Sequence, residues 1–194
     1  MSRVVAERRD VIAMLAEIFR EHGYDGASLS LITEKTGLGK GSLYHFFPRG
    51  KEEMAEAVLG DIAAWFRTHI FDALRNTENA EQALEVMFAA VDSYFRQGRR
   101  LCLMGVIAAS GAHDRFAREL NGYFSDWRAD LAVTLERNGT PRAECAALAE
   151  EIIGGIQGAL ILARSLDDPG AFGRVLARLQ TRCLPYREKR DTGG

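Results

Sequence analysis

Apolar residues recur at helical spacing along almost the whole chain, and no stretch shows the strict alternation of a half-buried strand. Val4, Val5, Val11, Ile12, Leu15, Ile18 and Phe19 mark one face of a helix over 3–22, with Gly23 as its stop. A second stripe, Met54, Val58, Ile62, Trp65, Phe66, Ile70 and Leu74, predicts one continuous helix over 52–75, about 35 Å long at ~1.5 Å per residue. After the polar break 76–79, Leu84, Met87, Phe88, Val91, Tyr94 and Phe95 predict a helix that ends near 97–100. Residues 101–109 are apolar on all sides and read as a short buried helix. Phe116, Leu120, Tyr123, Phe124, Trp127, Leu131 and Leu135 lie on a long amphipathic helix over 113–137, closed by Asn138 and Gly139. Leu148, Ile152, Ile153, Ile156, Leu160 and Leu162 mark a helix over 141–166, with Pro141 suited to its first turn. A turn over 167–170 and a last helix over 171–184 follow, then a polar tail expected to be disordered.

The short elements between the first two long helices carry the candidate chemistry. Ser28 is a suitable N-cap, Leu29 and Ile32 follow at one-turn spacing, and Gly37 stands where that short helix should stop. Residues 40–47 form the next short helix. Two short helices joined by a Gly-containing turn make a helix-turn-helix. The second presents Lys40, Ser42, Tyr44 and His45, with Leu43 and Phe47 turned inward. A cation, a hydroxyl, a phenol and an imidazole can all reach phosphates or base edges. Two such helices cannot bury enough surface alone, so the helix over 3–22 is expected to pack across them.

Composition narrows the class. The 194 residues are 47% hydrophobic, enough for a real core, and the net charge is −2. A general nucleic-acid coat is thereby disfavoured, whereas a local basic surface is permitted, because DNA affinity needs a few placed cations rather than a basic chain. Residues 1–51 carry eight basic and six acidic side chains, leaving −4 for the remainder. Cys102, Cys145 and Cys183 are few, odd in number and widely spaced, which favours reduced thiols in a cytoplasmic protein over disulfides or a zinc site. The N-terminus carries no apolar signal core, and no apolar run is expected to span a bilayer. His22, His69 and His113 lack catalytic or metal-binding companions, and no nucleophile–base arrangement or phosphate-cradling loop is present, so no enzyme, cofactor or metal is expected.

The run Gly37-Leu38-Gly39-Lys40-Gly41-Ser42-Leu43-Tyr44-His45-Phe46-Phe47 resembles the recognition-helix signature of TetR-family transcriptional regulators. The link Phe47-Pro48-Arg49-Gly50-Lys51-Glu52-Glu53 is similar to that of the LmrA-like subgroup. Gly39 stands where the family usually has Ser, removing a side-chain cap, and Phe46 stands where many members have His or Tyr. The resemblance implies an all-α fold of about nine helices. It would hold an N-terminal three-helix helix-turn-helix DNA-binding domain over 1–50, a larger helical ligand-binding and dimerisation domain over 51–185, and the tail 186–194. The implied DNA-contacting set is Ser28, Lys40, Gly41, Ser42, Tyr44, His45 and Lys51, with Lys51 near a phosphate. The implied homodimer uses the last two helices, with Ile152, Gly155, Ile156, Ala159, Leu160, Phe172 and Val175 at the contact.

Aromatic and Met residues are numerous in the larger half. They are expected to line an apolar effector pocket through Trp65, Phe66, Phe88, Met104, Phe116, Tyr123 and Trp127, with core packing as the competing role. The expected function is a one-component repressor. It binds a near-palindromic double-stranded DNA operator as a homodimer and is released by a small apolar or aromatic molecule, with no membrane partner. The alternative is a ligand-binding or protein-interaction dimer whose helix-turn-helix does not read DNA.

Overall fold

The computed structural model describes residues 7–183. The expected helical positions Val4 and Val5 and the expected tail over 186–194 lie outside these residues. Ten α-helices, one π turn and one 3-10 turn account for the regular structure, and no strand occurs among the described residues. The helices are α1 (Arg8–Gly26), α2 (Leu29–Thr36), α3 (Lys40–Phe46), α4 (Lys51–Phe66), α5 (Asp72–Asn76), α6 (Ala80–Tyr94), α7 (Leu103–Ala108), α8 (Ala117–Arg137), α9 (Arg142–Ser165) and α10 (Gly170–Arg182). The π turn is Arg67–Phe71, and the 3-10 turn is His113–Phe116.

Packing divides the chain into two compact units. One holds the residues up to Trp65 together with Leu101–Tyr123, and the other holds Phe66–Arg100 together with the residues from Phe124 onward. This grouping differs from the expected division at residue 50: α4 as far as Trp65, all of α7, the 3-10 turn and α8 as far as Tyr123 group with the helix-turn-helix. The reasons are local. Phe116 sets its ring edge-on to Tyr24 at 5.1 Å, and Arg115 pairs with Glu52 at 2.7 Å. α1 also packs on both α2 and α7. Val11, Leu15, Phe19, Ile32, Leu43, Phe47, Met54 and Val58 are fully enclosed and form the core of this unit.

In the second unit, aromatic rings form a connected row. Phe66 lies 5.4 Å from Trp127 and 6.2 Å from Phe95, and Phe95 lies 6.2 Å from Phe172. Pairs at these separations contribute about 0.5–1.5 kcal/mol beyond the burial of their area. Arg137, at the end of α8, donates to the carbonyls of Leu74 (3.1 Å) and Glu78 (2.8 Å), satisfying groups freed where α5 ends. The buried hydroxyl of Thr134 reaches the same Leu74 carbonyl at 3.1 Å.

Two expectations change here. The single helix over 52–75 is interrupted by the π turn Arg67–Phe71. Phe66, Ile70, Phe71 and Leu74 are all buried around this wider turn. The second change concerns α9. By length and composition it could cross a bilayer, with a mean hydropathy of 1.5 over its most apolar window. Its inward side, Ala149, Ile152, Ile156 and Leu160, is buried in the protomer, and the helix packs on α10.

Candidate nucleic-acid interface

Ser28 begins the helix-turn-helix by accepting a hydrogen bond from the Leu31 amide at 3.2 Å, the N-cap of α2. Its hydroxyl therefore has a structural partner in addition to its exposed position. At the other end Gly37 takes the left-handed conformation (φ 68), which an L side chain adopts only with strain, and its N–H returns to the Thr33 carbonyl at 3.0 Å. The Thr36 hydroxyl accepts from the Leu38 amide at 3.3 Å and steadies the turn. Gly39 then opens α3 with no side-chain cap, as the Gly-for-Ser departure implies.

α3 is short and sharply two-sided. Leu43 is fully buried, and Phe47, which ends the helix, is buried against the Arg8 guanidinium 5.0 Å from its ring. Lys40, Gly41, Tyr44 and His45 are exposed and Ser42 is half-buried. Tyr44 is 43% exposed. Its ring rests on Gly50: a β-carbon there would stand 3.4 Å from the ring's Cε1. The loop after α3 thus backs the Tyr44 side chain.

Lys51 has a different setting from Tyr44. Its Nζ donates to the Tyr24 carbonyl at 2.9 Å and stands 4.3 Å from the centre of the Tyr24 ring. The cation expected at a phosphate is committed to an internal contact that ties α4 to the end of α1. Tyr24 itself is met edge-on by Phe116 and approached by Arg115, and burial pushes its phenol above the ordinary range. Tyr24 and Arg115 were not among the expected functional residues. Nothing in the local pattern of a Gly-Tyr-Asp-Gly stretch reveals a partner some ninety positions away.

The expected effector-lining residues are distributed over both units. Trp65, Met104, Phe116 and Tyr123 belong to the first, and Phe66, Phe88 and Trp127 to the second. Six of them are buried, and Trp65 is half-buried. Phe66 and Trp127 meet edge to face, and Phe116 meets Tyr24. A cleft of about 540 Å³ in the second unit lies between the start of α9 and the end of α10, lined by Thr140, Glu144, Leu148, Glu151 and Arg182 among others. It contains none of the seven.

The expected dimer residues lie mostly in the interior of one protomer. Ile152, Ile156, Ala159, Leu160 and Phe172 are buried inside one protomer, so they do not form a face open to a second chain. Gly155 serves the same interior, because a β-carbon there would stand 2.9 Å from Leu179 Cδ1. Val175 is half-buried. The outward side of α9 carries Gly154, Gly158, Ile161 and Leu162, and Leu166 follows at its C-cap. Ile161 is 62%, Leu162 49% and Leu166 65% exposed.

The capped α2, the glycine-bearing turn and the polar, outward-facing α3 of this all-α protein define a helix-turn-helix, a motif of DNA-binding proteins. Residues 11–58 match the model of bacterial regulatory proteins of the tetR family, and residues 80–178 match the C-terminal domain of LmrA/YxaF-like transcriptional regulators. The chain belongs to the TetR family of transcriptional regulators, in its LmrA/YxaF-like branch. These are regulators and not enzymes.

The chain is 26% identical over 165 residues to the uncharacterized HTH-type transcriptional regulator YxaF of Bacillus subtilis (strain 168), covering 83% of this chain and 86% of that protein. It is 30% identical over 88 residues to the HTH-type transcriptional repressor KstR2 of Mycobacterium tuberculosis (strain ATCC 25618 / H37Rv), covering 45% of this chain and 44% of that one. The fold is shared with a cysteine mutant of the TetR family transcriptional regulator CifR complexed with 26-bp double-strand operator DNA. The TM-score is 0.71 at 18% identity, over 94% of this chain and 98% of that chain.

Proposed function

We propose that this regulator is a cytoplasmic, homodimeric repressor that reads a near-palindromic operator with α3 and releases it when a small apolar molecule binds. The observation that carries this reading is the outward set Lys40, Ser42, Tyr44 and His45 on a helix anchored by a fully buried Leu43. Ser28, Gly41 and Lys51 belong to the same interface: Ser28 and Gly41 are exposed, while Lys51 holds its geometry from behind. The operator complex of CifR and the repressor name of KstR2 support the choice of operator binding and of repression.

The dimer is formed by the outward sides of α9 and α10. Exposed Ile161, Leu162 and Leu166 supply apolar area, and Gly154 and Gly158, at which a β-carbon would meet nothing, let a second helix approach closely. Twofold pairing would set two copies of α3 about 34–36 Å apart, one helical turn of DNA, or at a multiple of it.

An effector can lower DNA affinity only by binding better to the conformation that misplaces α3. The aromatic row around Phe66 and Trp127 is the favoured place for an apolar, aromatic molecule. The test is selection of bound duplexes from a random pool, followed by release from the selected duplex with a panel of small molecules. Release by apolar aromatic compounds, with quenching of tryptophan fluorescence, supports the reading. Release only by charged, non-aromatic metabolites or by a metal ion contradicts it.

A further inference from the structure

With Lys51 turned toward Tyr24, an exposed cation still stands just past the end of the recognition helix, and it is Arg49. Its side chain is 63% exposed and it precedes Gly50, against which the Tyr44 ring rests. The guanidinium is held by carboxylates: Nη1 donates to Glu56 Oε1 at 3.3 Å, Nη2 pairs with Glu56 Oε2, and Nε lies 4.0 Å from Glu53 Oε2. The Arg49 backbone N–H donates to the same Glu53 oxygen at 2.8 Å. Glu52, Glu53 and Glu56 therefore gather where α4 begins, next to a surface that must approach phosphates. Like charges there oppose docking unless a cation stands in front of them.

An arginine bound to a carboxylate through two nitrogens is already arranged for a phosphate, since both partners present two oxygens to the same planar fork. An exposed ion pair contributes little to stability, so moving the guanidinium from one anion to another costs little. We propose that Arg49 is a phosphate-binding residue of the DNA interface, held in the free protein by Glu56 and Glu53 and transferred to a backbone phosphate when DNA docks. This rests on the reading of Tyr44 and its neighbours as DNA-facing. Glu56 then acts as an internal competitor that weakens DNA binding.

The experiment titrates a duplex selected by the wild-type protein from a random pool, across a series of salt concentrations. The proteins are wild type, Arg49→Ala, Arg49→Lys, Glu56→Gln and the Arg49→Ala/Glu56→Gln double variant, each checked for helical content by circular dichroism. Arg49→Ala should flatten the plot of log affinity against log salt by about 0.9 per subunit, and Arg49→Lys should keep the slope. Glu56→Gln should tighten binding about two- to five-fold, and most of that gain should vanish in the double variant. An unchanged salt slope in folded Arg49→Ala overturns the inference while leaving the DNA-binding reading intact. An equal gain from Glu56→Gln with and without Arg49 overturns the competition. Failure of the wild type to select any duplex overturns the DNA-binding reading and this inference with it. Should Arg49→Ala lose helical content, Glu56→Gln decides, and unchanged affinity there counts against the inference.

Discussion

Residue by residue, burial and partners decide which side chains can act. Tyr44 and Lys40 point away from the core, so Lys40→Ala or Tyr44→Ala should leave helical content and dimerisation as they are. Either substitution should lower specific affinity about 5- to 150-fold, the range that a base-edge hydrogen-bonding side chain supplies. Gel-shift titration at moderate salt checks this. The cysteines behave oppositely. All three are buried, and burial pushes the Cys183 thiol up to about 12. Its native state keeps a proton that the unfolded chain gives up near the ordinary value of 9. Stability should therefore be unaffected by this group below that pH and decline as pH rises from about 9 toward 12; Cys183→Ser should flatten that alkaline decline in thermal melts. Native protein at pH 8 should react with a thiol reagent slowly until denaturant is added.

At the scale of elements, much was legible from periodicity and punctuation, because these are local. Gly23 interrupts α1, Ser28 caps α2 and Gly37 closes α2, each where the spacing places it, and the polar break over 76–79 precedes α6. The π turn was not legible, because one extra residue in a helix leaves an apolar stripe that still looks continuous. The two sides of α9 are not separable in the sequence for a related reason. α9 is apolar on two sides, and periodicity alone cannot tell which side meets α10 and which faces outward. The contact of Lys51 with Tyr24 is likewise one that spacing does not encode. The segment after α6 carries its own prediction. Arg96, Gln97 and Gly98 all take positive φ, and a β-carbon at Gly98 would stand 2.5 Å from Phe172 Cβ and 2.9 Å from the Pro169 carbonyl oxygen. Gly98→Ala should therefore destabilise the protein by roughly 2–4 kcal/mol, strain and overpacking together. Urea unfolding would read this directly, and a loss under about 0.5 kcal/mol, the level of a neutral surface change, would contradict the stated clash.

At the scale of the whole molecule, the proposed dimer and the proposed operator reading are linked, since a palindromic site needs two recognition helices. Ile161→Glu with Leu162→Glu places charges on the exposed side of α9 and should yield folded monomers in sedimentation velocity. Ile156→Arg, on the buried side, should unfold the protein instead. An unchanged dimer in the first variant moves the interface elsewhere. The central claim is that α3 reads DNA sequence, and a competition titration tests it most directly. Wild type and Tyr44→Ala are each bound to the selected duplex against a scrambled duplex of equal length and composition. The account predicts strong preference for the selected duplex by wild type and near-equal, salt-sensitive binding of both by Tyr44→Ala. The same preference in both proteins would contradict it.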